Sequence, residues 1–380
     1  MTSSVADTLA LPDDRQAADA SGRPLISSIQ VLRCIAATLV VLAHLPEPLS
    51  DYNLNDILPS MTFGVFGVDL FFVISGFIMV FATGPARGAR PAGHFLLRRV
   101  IRIVPLYWIF TTIFVATTWH GLRHVGLSAH EIRHMIASYL FLPAHEPASG
   151  DIYPTYPLGW TLNYEMFFYV CFTASLLLPR RAGVPVLAAA LSGLVVLGAV
   201  LPLPWPLSYW ARSQILEFVF GMLIARACLD GRRFPAKAAV PVLVAAIVAV
   251  PLYVPYIDQW DILRGLAWGL PAAGVVACAV MTPLIRVGSV TRSLEALGDA
   301  SYSLYLVHYA FFLAAGYLLR HALTRHWIPA GLYAAVLFLG SFVCALLLYR
   351  LVELPMTRRL RRIASTRTPV VPAPLPGPTG

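Results

Sequence analysis

The chain has 380 residues, of which 58% are hydrophobic and 12% are charged. Ordinary soluble domains hold roughly 45–50% apolar and about 25% charged residues, and a core of this length cannot hide the excess. A soluble enzyme, a secreted disulfide scaffold and a disordered protein are thereby excluded, and the mean hydropathy of +0.71 points to a polytopic membrane protein. The net charge of +9 comes from 28 Lys+Arg against 19 Asp+Glu. A basic balance can signal nucleic acid, but here the basic residues cluster in loops between apolar runs. That is the pattern of a membrane-orientation signal, and no nucleic-acid partner is expected. The five cysteines (Cys34, Cys171, Cys228, Cys278 and Cys344) lie inside apolar stretches without a CxxC pair and read as small buried hydrophobes.

Residues 1–25 are polar and lack the apolar core of a secretory signal, so they read as an unstructured cytoplasmic segment. A spanning helix needs about 20 mostly apolar residues. Ten such runs follow, near 27–46, 63–82, 103–119, 157–178, 184–201, 211–228, 238–256, 262–284, 300–319 and 331–352. With both termini in the cytoplasm, the inside segments hold 21 of the basic residues and the outside segments 6; Arg33 lies within the first span. That bias supports an all-α bundle of about ten transmembrane helices. The longest outer loop, 120–156, contains an amphipathic segment at 129–142, too short to span. The Thr/Pro-rich basic tail, 361–380, reads as disordered. A membrane domain over 26–360 remains.

An ionisable group inside a span costs at least about 2.5–3.5 kcal/mol on insertion scales, so each one is a functional candidate. Arg33 and His44 share the first span, eleven residues apart. Eleven residues turn the helix three times plus about 20°, so both project from one face about 16 Å apart along the axis. A cation at the inner mouth suits an anionic donor, and an imidazole deeper in suits a general base. The alternatives are an Arg that snorkels to headgroups and a His that satisfies a backbone carbonyl. Asp69 in the second span and Glu165 in the fourth are expected at a level similar to His44. Either acid could orient the imidazole, and Glu165 is preferred because Thr161 and Tyr169 at i−4 and i+4 make its helix face polar.

Ser301, Tyr305 and His308 form a stripe at i, i+4 and i+7 in the ninth span, serving either helix packing or substrate contact. Arg98, Arg99 and Arg102 lead into the third span, with Pro105 expected to stop or kink it; the Arg99–Arg102 neighbours suit phosphate. Trp160, Tyr153 and Tyr156, at the outer side, could stack on sugar rings. Glu353 and Pro355 close the tenth span. His130-Glu131-Ile132-Arg133-His134 matches the H-E-x-x-H zinc pattern. Arg133 between the two histidines counts against a metal, and Ser128 with Glu131 reads as a capping box; no metal site is assigned.

Six segments in order, ISSIQVLRCIAATLVVLAHL, GVDLFFVISGF, RRVIRIVPLYW, GWTLNYEMFFY, GDASYSLYLVHY and VELP, together resemble the membrane acyltransferase-3 family, and within it the exopolysaccharide-production acetyltransferases. The resemblance implies a ten-helix enzyme of the inner membrane. It moves an acetyl group, or another acyl group, from cytoplasmic acyl-CoA to a glycan hydroxyl on the outer side, with no permanently bound cofactor. Some members instead acylate macrolides or lipid-linked sugars. Arg33 and His44 would be the family's catalytic pair and Glu165 its fourth-span acid. Arg99, Arg102, Pro105 and Tyr107 would match its donor-side segment, and Tyr305 and His308 its ninth-span segment. The combined expectation is acetyl-CoA held by Arg99, Arg102 and Arg33. His44, oriented by Glu165, acts as base or acyl carrier, and the acceptor sits near Asp69 and Trp160. A transporter using the same polar residues is the rival reading.

Overall fold

A computed structural model describes residues 25–52, 54, 61–84, 86–122, 128–253, 263–282 and 289–366, and among these all the regular structure is helical. The segments 1–24 and 367–380, expected to be disordered, lie outside the described residues. In chain order the principal helices are α1 (Leu25–His44), α2 (Phe66–Thr83), α3 (Ala89–Leu122), α4 (Ala129–Tyr139), α5 (Gly159–Ser175), α6 (Arg180–Val200) and α7 (Ile215–Leu229). They continue as α8 (Ala236–Tyr253), α9 (Gly269–Met281), α10 (Ser289–Asp299), α11 (Ser301–Thr324), α12 (Ala330–Leu348) and α13 (Leu354–Thr366).

Each of the ten expected spans coincides with a helix. Eight helical segments are long and apolar enough to cross a membrane. The two helices that fall short of that length are α5, with 17 residues, and α7, with 15. Both are packed inside the bundle, with Phe168 and Phe218 fully buried and stacked 4.4 Å apart. Short helices are tolerated there because neighbouring helices, rather than lipid, cover their ends. The outer helices turn apolar side chains outward; Ile247 is 72% exposed and Leu318 77%. An apolar exterior around a core that holds the charges is the arrangement of a polytopic membrane protein.

Three local expectations are corrected. Pro105 does not stop α3, which continues through it for 34 residues. At 1.5 Å per residue that is about 51 Å, well over a hydrocarbon thickness of about 30 Å, so the arginine-bearing first turns project beyond the span. Glu353 and Pro355 do not close the tenth span either. Proline at 355 has no N–H to give and crowds the carbonyl one turn earlier. The helix widens into a π-turn over Tyr349–Glu353 and continues as α13 to Thr366, so residues 361–366 are helical rather than part of a tail. A strongly amphipathic helix, α10, was not foreseen. It lies across the start of α1, with Gln30 Nε2 donating to Asp299 Oδ1 at 2.6 Å and Ser27 Oγ donating to Glu295.

Helices α2 and α7 meet backbone to backbone. A Cβ on Gly221 would sit 2.0 Å from the Val73 carbonyl oxygen, and one on Gly76 would sit 2.1 Å from that of Phe218. Small residues let helices approach this closely in lipid, where no hydrophobic force drives them together. Gly221→Leu is expected to force the pair apart and cost at least about 1–3 kcal/mol. A fall in thermal unfolding temperature of the detergent-purified protein checks it; an unchanged temperature would refute the contact.

Candidate active site

The residues that matter occupy two neighbourhoods along α1, one around Arg33, about two turns in from its start, and one around His44 at its C-terminal end. At the first an open cleft spans about 740 Å³, its solvent-facing mouth included. Its polar lining comes from five helices: Arg33 on α1, Ser75 on α2, Arg99 and Arg102 on α3, Thr161, Glu165 and Tyr169 on α5, and Ser301, Tyr302 and Tyr305 on α11. Glu165 accepts hydrogen bonds from Ser75 Oγ at 3.1 Å and from the Tyr169 hydroxyl. The guanidinium of Arg99 lies over the rings of Phe95 and Tyr169, at 5.4 and 6.0 Å. Arg33 is only 7% exposed. Its Nη1 donates to Gln30 Oε1 at 3.1 Å, and Gln30 is in turn tied to Asp299 on α10. The expected polar face of α5 is realised, since Tyr169 bonds Glu165 and Thr161 Oγ1 lies 2.8 Å from the Tyr305 hydroxyl.

The tether predicts a measurable effect. Gln30→Leu removes a hydrogen bond to a charged group, commonly about 1.5–3 kcal/mol. It is expected to raise the KM for the donor roughly tenfold or more and to leave kcat nearly unchanged. A fall in kcat with no change in KM would show that Gln30 does not act through Arg33.

The second neighbourhood holds two imidazoles. The rings of His44 and His308 have centroids 5.2 Å apart, and the Tyr309 ring is 6.2 Å from His44. His44 Nδ1 lies 2.8 Å from the Val40 carbonyl oxygen, and His308 Nδ1 lies 3.0 Å from that of Leu304. A carbonyl only accepts, so in each ring Nδ1 carries a hydrogen, and in the neutral form of the ring the lone pair falls on Nε2. His308 is fully buried with Nε2 unpartnered, whereas His44 is half-exposed. Tyr305 stands between the two neighbourhoods. Its ring lines the cleft and is 6.3 Å from that of His308, and its hydroxyl donates to the Leu158 carbonyl at 2.8 Å.

Four site expectations are corrected by these positions. Glu165 does not orient His44. Close contacts of Gly64 with Leu39 and Ala43, and of Gly67 with Ala36, run α1 and α2 antiparallel. Ser75, and with it Glu165, therefore falls beside Arg33, and the polar neighbours of His44 are His308, Tyr309 and, within electrostatic reach, Glu47. Asp69 is not open to an acceptor. It is fully buried and paired with Arg264, Nη2 to Oδ2 at 3.1 Å and Nε to Oδ1 at 3.4 Å. Trp160 is 6% exposed and covers that same guanidinium at 5.8 Å, so its face is not free for a sugar. Tyr107 is buried against Phe141, with ring centroids 4.7 Å apart, and does not line the cleft.

Sequence reasoning missed Gln30 and Asp299, although Gln30 sits one turn before Arg33. Arg264, at the start of the 262–284 run, was also not counted among the intramembrane charges. Glu217, fully buried within electrostatic reach of Asp69 and Arg264, was overlooked inside an apolar run. In the H-E-x-x-H segment both halves of the Ser128–Glu131 capping box are formed, and His134 Nε2 lies 2.7 Å from the Tyr153 carbonyl. Among the described residues no group of three or more His, Cys, Asp or Glu is placed to hold a metal ion.

The described residues thus form an apolar helical bundle with an arginine-lined cleft beside Arg33 and two imidazoles at the C-terminal end of α1. Comparison with known proteins gives the class: residues 26–350 match the acyltransferase domain family known as Acyl_transf_3. The chain belongs to this family and is a multi-pass membrane O-acyltransferase. It is 37% identical over 312 residues to the exopolysaccharide production protein ExoZ of Rhizobium meliloti (strain 1021), covering 79% of this chain and 92% of that one. It is 26% identical over 383 residues to the acyltransferase MdmB of Streptomyces mycarofaciens, covering 92% of this chain and 95% of that one. No solved structure gives a significant match.

Proposed function

We propose that the protein transfers an acetyl group from cytoplasmic acetyl-CoA to a hydroxyl of a glycan at the outer side of the inner membrane, through ten spans with both termini inside. The observation that carries this reading is the division of labour along α1. Arg33 faces a basic cleft at one end, and eleven residues away His44 offers a free Nε2 at a half-exposed end. Guanidinium forks at Arg33, Arg99 and Arg102 suit the phosphates and the thioester-bearing arm of the donor. His44 Nε2 removes the acceptor's hydroxyl proton. The oxygen attacks the acetyl carbonyl carbon, the carbon–sulfur bond breaks, and the leaving thiolate takes the proton back from the imidazolium. His308, with its own Nε2 turned to no other group, stabilises the acceptor or the imidazolium beside it. Tyr305 lines the cleft and its ring neighbours that of His308, so the acetyl group passes Tyr305 to reach His44. The name of the Rhizobium relative supports a glycan acceptor.

NMR of O-acetyl groups on surface glycans tests the proposal, comparing cells that make the wild type, the His44→Ala variant or no protein. Acetylation that depends on the protein and vanishes with His44→Ala supports it. Glycans acetylated equally in all three would overturn it.

A further inference from the structure

Arginines gather at a second place that the proposed reaction does not use. A solvent-open cavity spanning about 850 Å³, its mouth included, is lined by Arg87, Arg180, Arg181 and Arg226. They come from the segment between α2 and α3, the start of α6 and the end of α7. The only acid in the lining, Asp230, is engaged by Arg226 at 3.4 Å. Arg180 and Arg181 make no hydrogen bond or ion pair with another described residue. Arg87 is held in place by two bonds from Nη1, to the carbonyls of Gly84 and Ala86, while its buried Nε has no partner. Burial and the neighbouring charge of Arg180 both push the Arg87 guanidinium below its ordinary value. Like charges converging on one cavity repel one another unless an anion sits between them.

Two further features define the occupant. Helix α6 begins at Arg180 with Pro179 as its N-cap and no side-chain cap. The uncapped first turn of a 21-residue helix therefore adds backbone N–H groups and a positive dipole end to the same place. The rest of the lining is apolar, from Val80, Phe81, Val184 and Leu229. The cavity is also distinct from the donor cleft. Residues 80 and 81 lie roughly 140° and 240° round α2 from Ser75, which faces the cleft.

We infer a second site, on the opposite face of α2, that binds a phosphate ester carried on a partly apolar body: the headgroup of an anionic phospholipid or the phosphorylated end of a coenzyme. Arg180, Arg181 and Arg87 hold the phosphate oxygens, and the apolar residues take the adjoining carbon chain. Headgroup and chain meeting at one place favour the lipid. The inference stands apart from acetyl transfer, because binding is read without turnover.

The test compares wild type, the double variant Arg180→Gln/Arg181→Gln, and a control, Arg358→Gln/Arg359→Gln. The control removes the same charge from α13, away from the cavity. One arm measures retention of phosphatidylglycerol over phosphatidylcholine by the purified protein; the other titrates adenosine 3′,5′-bisphosphate. The double variant is expected to weaken phosphatidylglycerol binding roughly 30-fold, with the control close to wild type. Loss confined to the bisphosphate arm assigns the site to the coenzyme end, and loss in both arms assigns it to either phosphate ester. No loss in either arm, or an equal loss in the control, overturns the inference.

Discussion

Alanine in place of His44 is expected to cut the turnover of acetyl transfer by about 10²–10⁴-fold, the usual contribution of a positioned general base. The KM for acetyl-CoA is expected to change little. The reason is geometric: Nδ1 is committed to the Val40 carbonyl, so Nε2 is the only basic atom the ring can offer, and the contact proposed for the donor at Arg33 lies about 16 Å away along α1. A glutamine at 44 keeps a polar side chain but has no base, so it is expected to be nearly as inactive as alanine. His308→Ala gives the discriminating comparison. If His308 only supports His44, its loss is the smaller of the two. A full loss with His308→Ala and near-normal turnover with His44→Ala would move the base to α11 and sink the proposed assignment. Steady-state kinetics in proteoliposomes loaded with acceptor would measure both.

The second large effect concerns stability. Arg264 is 1% exposed, bonded through two nitrogens to Asp69 and lying over Trp268 at 5.1 Å. Removing one partner of a buried ion pair leaves an uncompensated charge and typically costs about 3–5 kcal/mol, whereas replacing both by apolar residues is often close to neutral. Arg264→Met is therefore expected to abolish or sharply reduce the yield of folded protein, and Asp69→Leu/Arg264→Met to recover most of it. Glu217 loses its neighbouring cation in both variants, so the difference between them isolates Asp69. Thermal unfolding in detergent provides the measurement. Equal losses in the single and double variants would show that the pair's charge is not what holds this region together.

These two effects differ in how far the sequence announced them. The pairing of Arg33 with His44 on one face depends only on the fixed rotation per residue of a helix, and so it could be read from eleven positions of spacing. The capping box at Ser128 and Glu131, the polar face of α5 and the existence of all ten helices are equally local. The Asp69–Arg264 pair is not. The two residues are 195 positions apart, and the arginine stands at the edge of an apolar run, where it is indistinguishable from an orienting charge. Equal depth in the bilayer was the argument for placing Glu165 beside His44. Depth read from the ends of apolar runs does not say which helices meet, and the contact with Ser75 on α2 draws Glu165 to Arg33 instead.

Composition and periodicity thus determined by themselves that the chain is an apolar helical bundle, which residues are costly to bury, and which of them share a helix face. Those properties follow from short-range geometry and from the free energy of placing single side chains in lipid. Only the tertiary structure decided which buried charges meet. It gave Glu165 to the Arg33 cleft, His308 to His44, Asp69 to Arg264, and Tyr305 to the space between cleft and imidazoles. The physical reason is that a buried charge accepts any partner that satisfies it. The choice among chemically equivalent partners is made by the close approach of helix backbones, at contacts such as Gly67 against Ala36 and Gly221 against Val73, and not by the ionisable residues themselves.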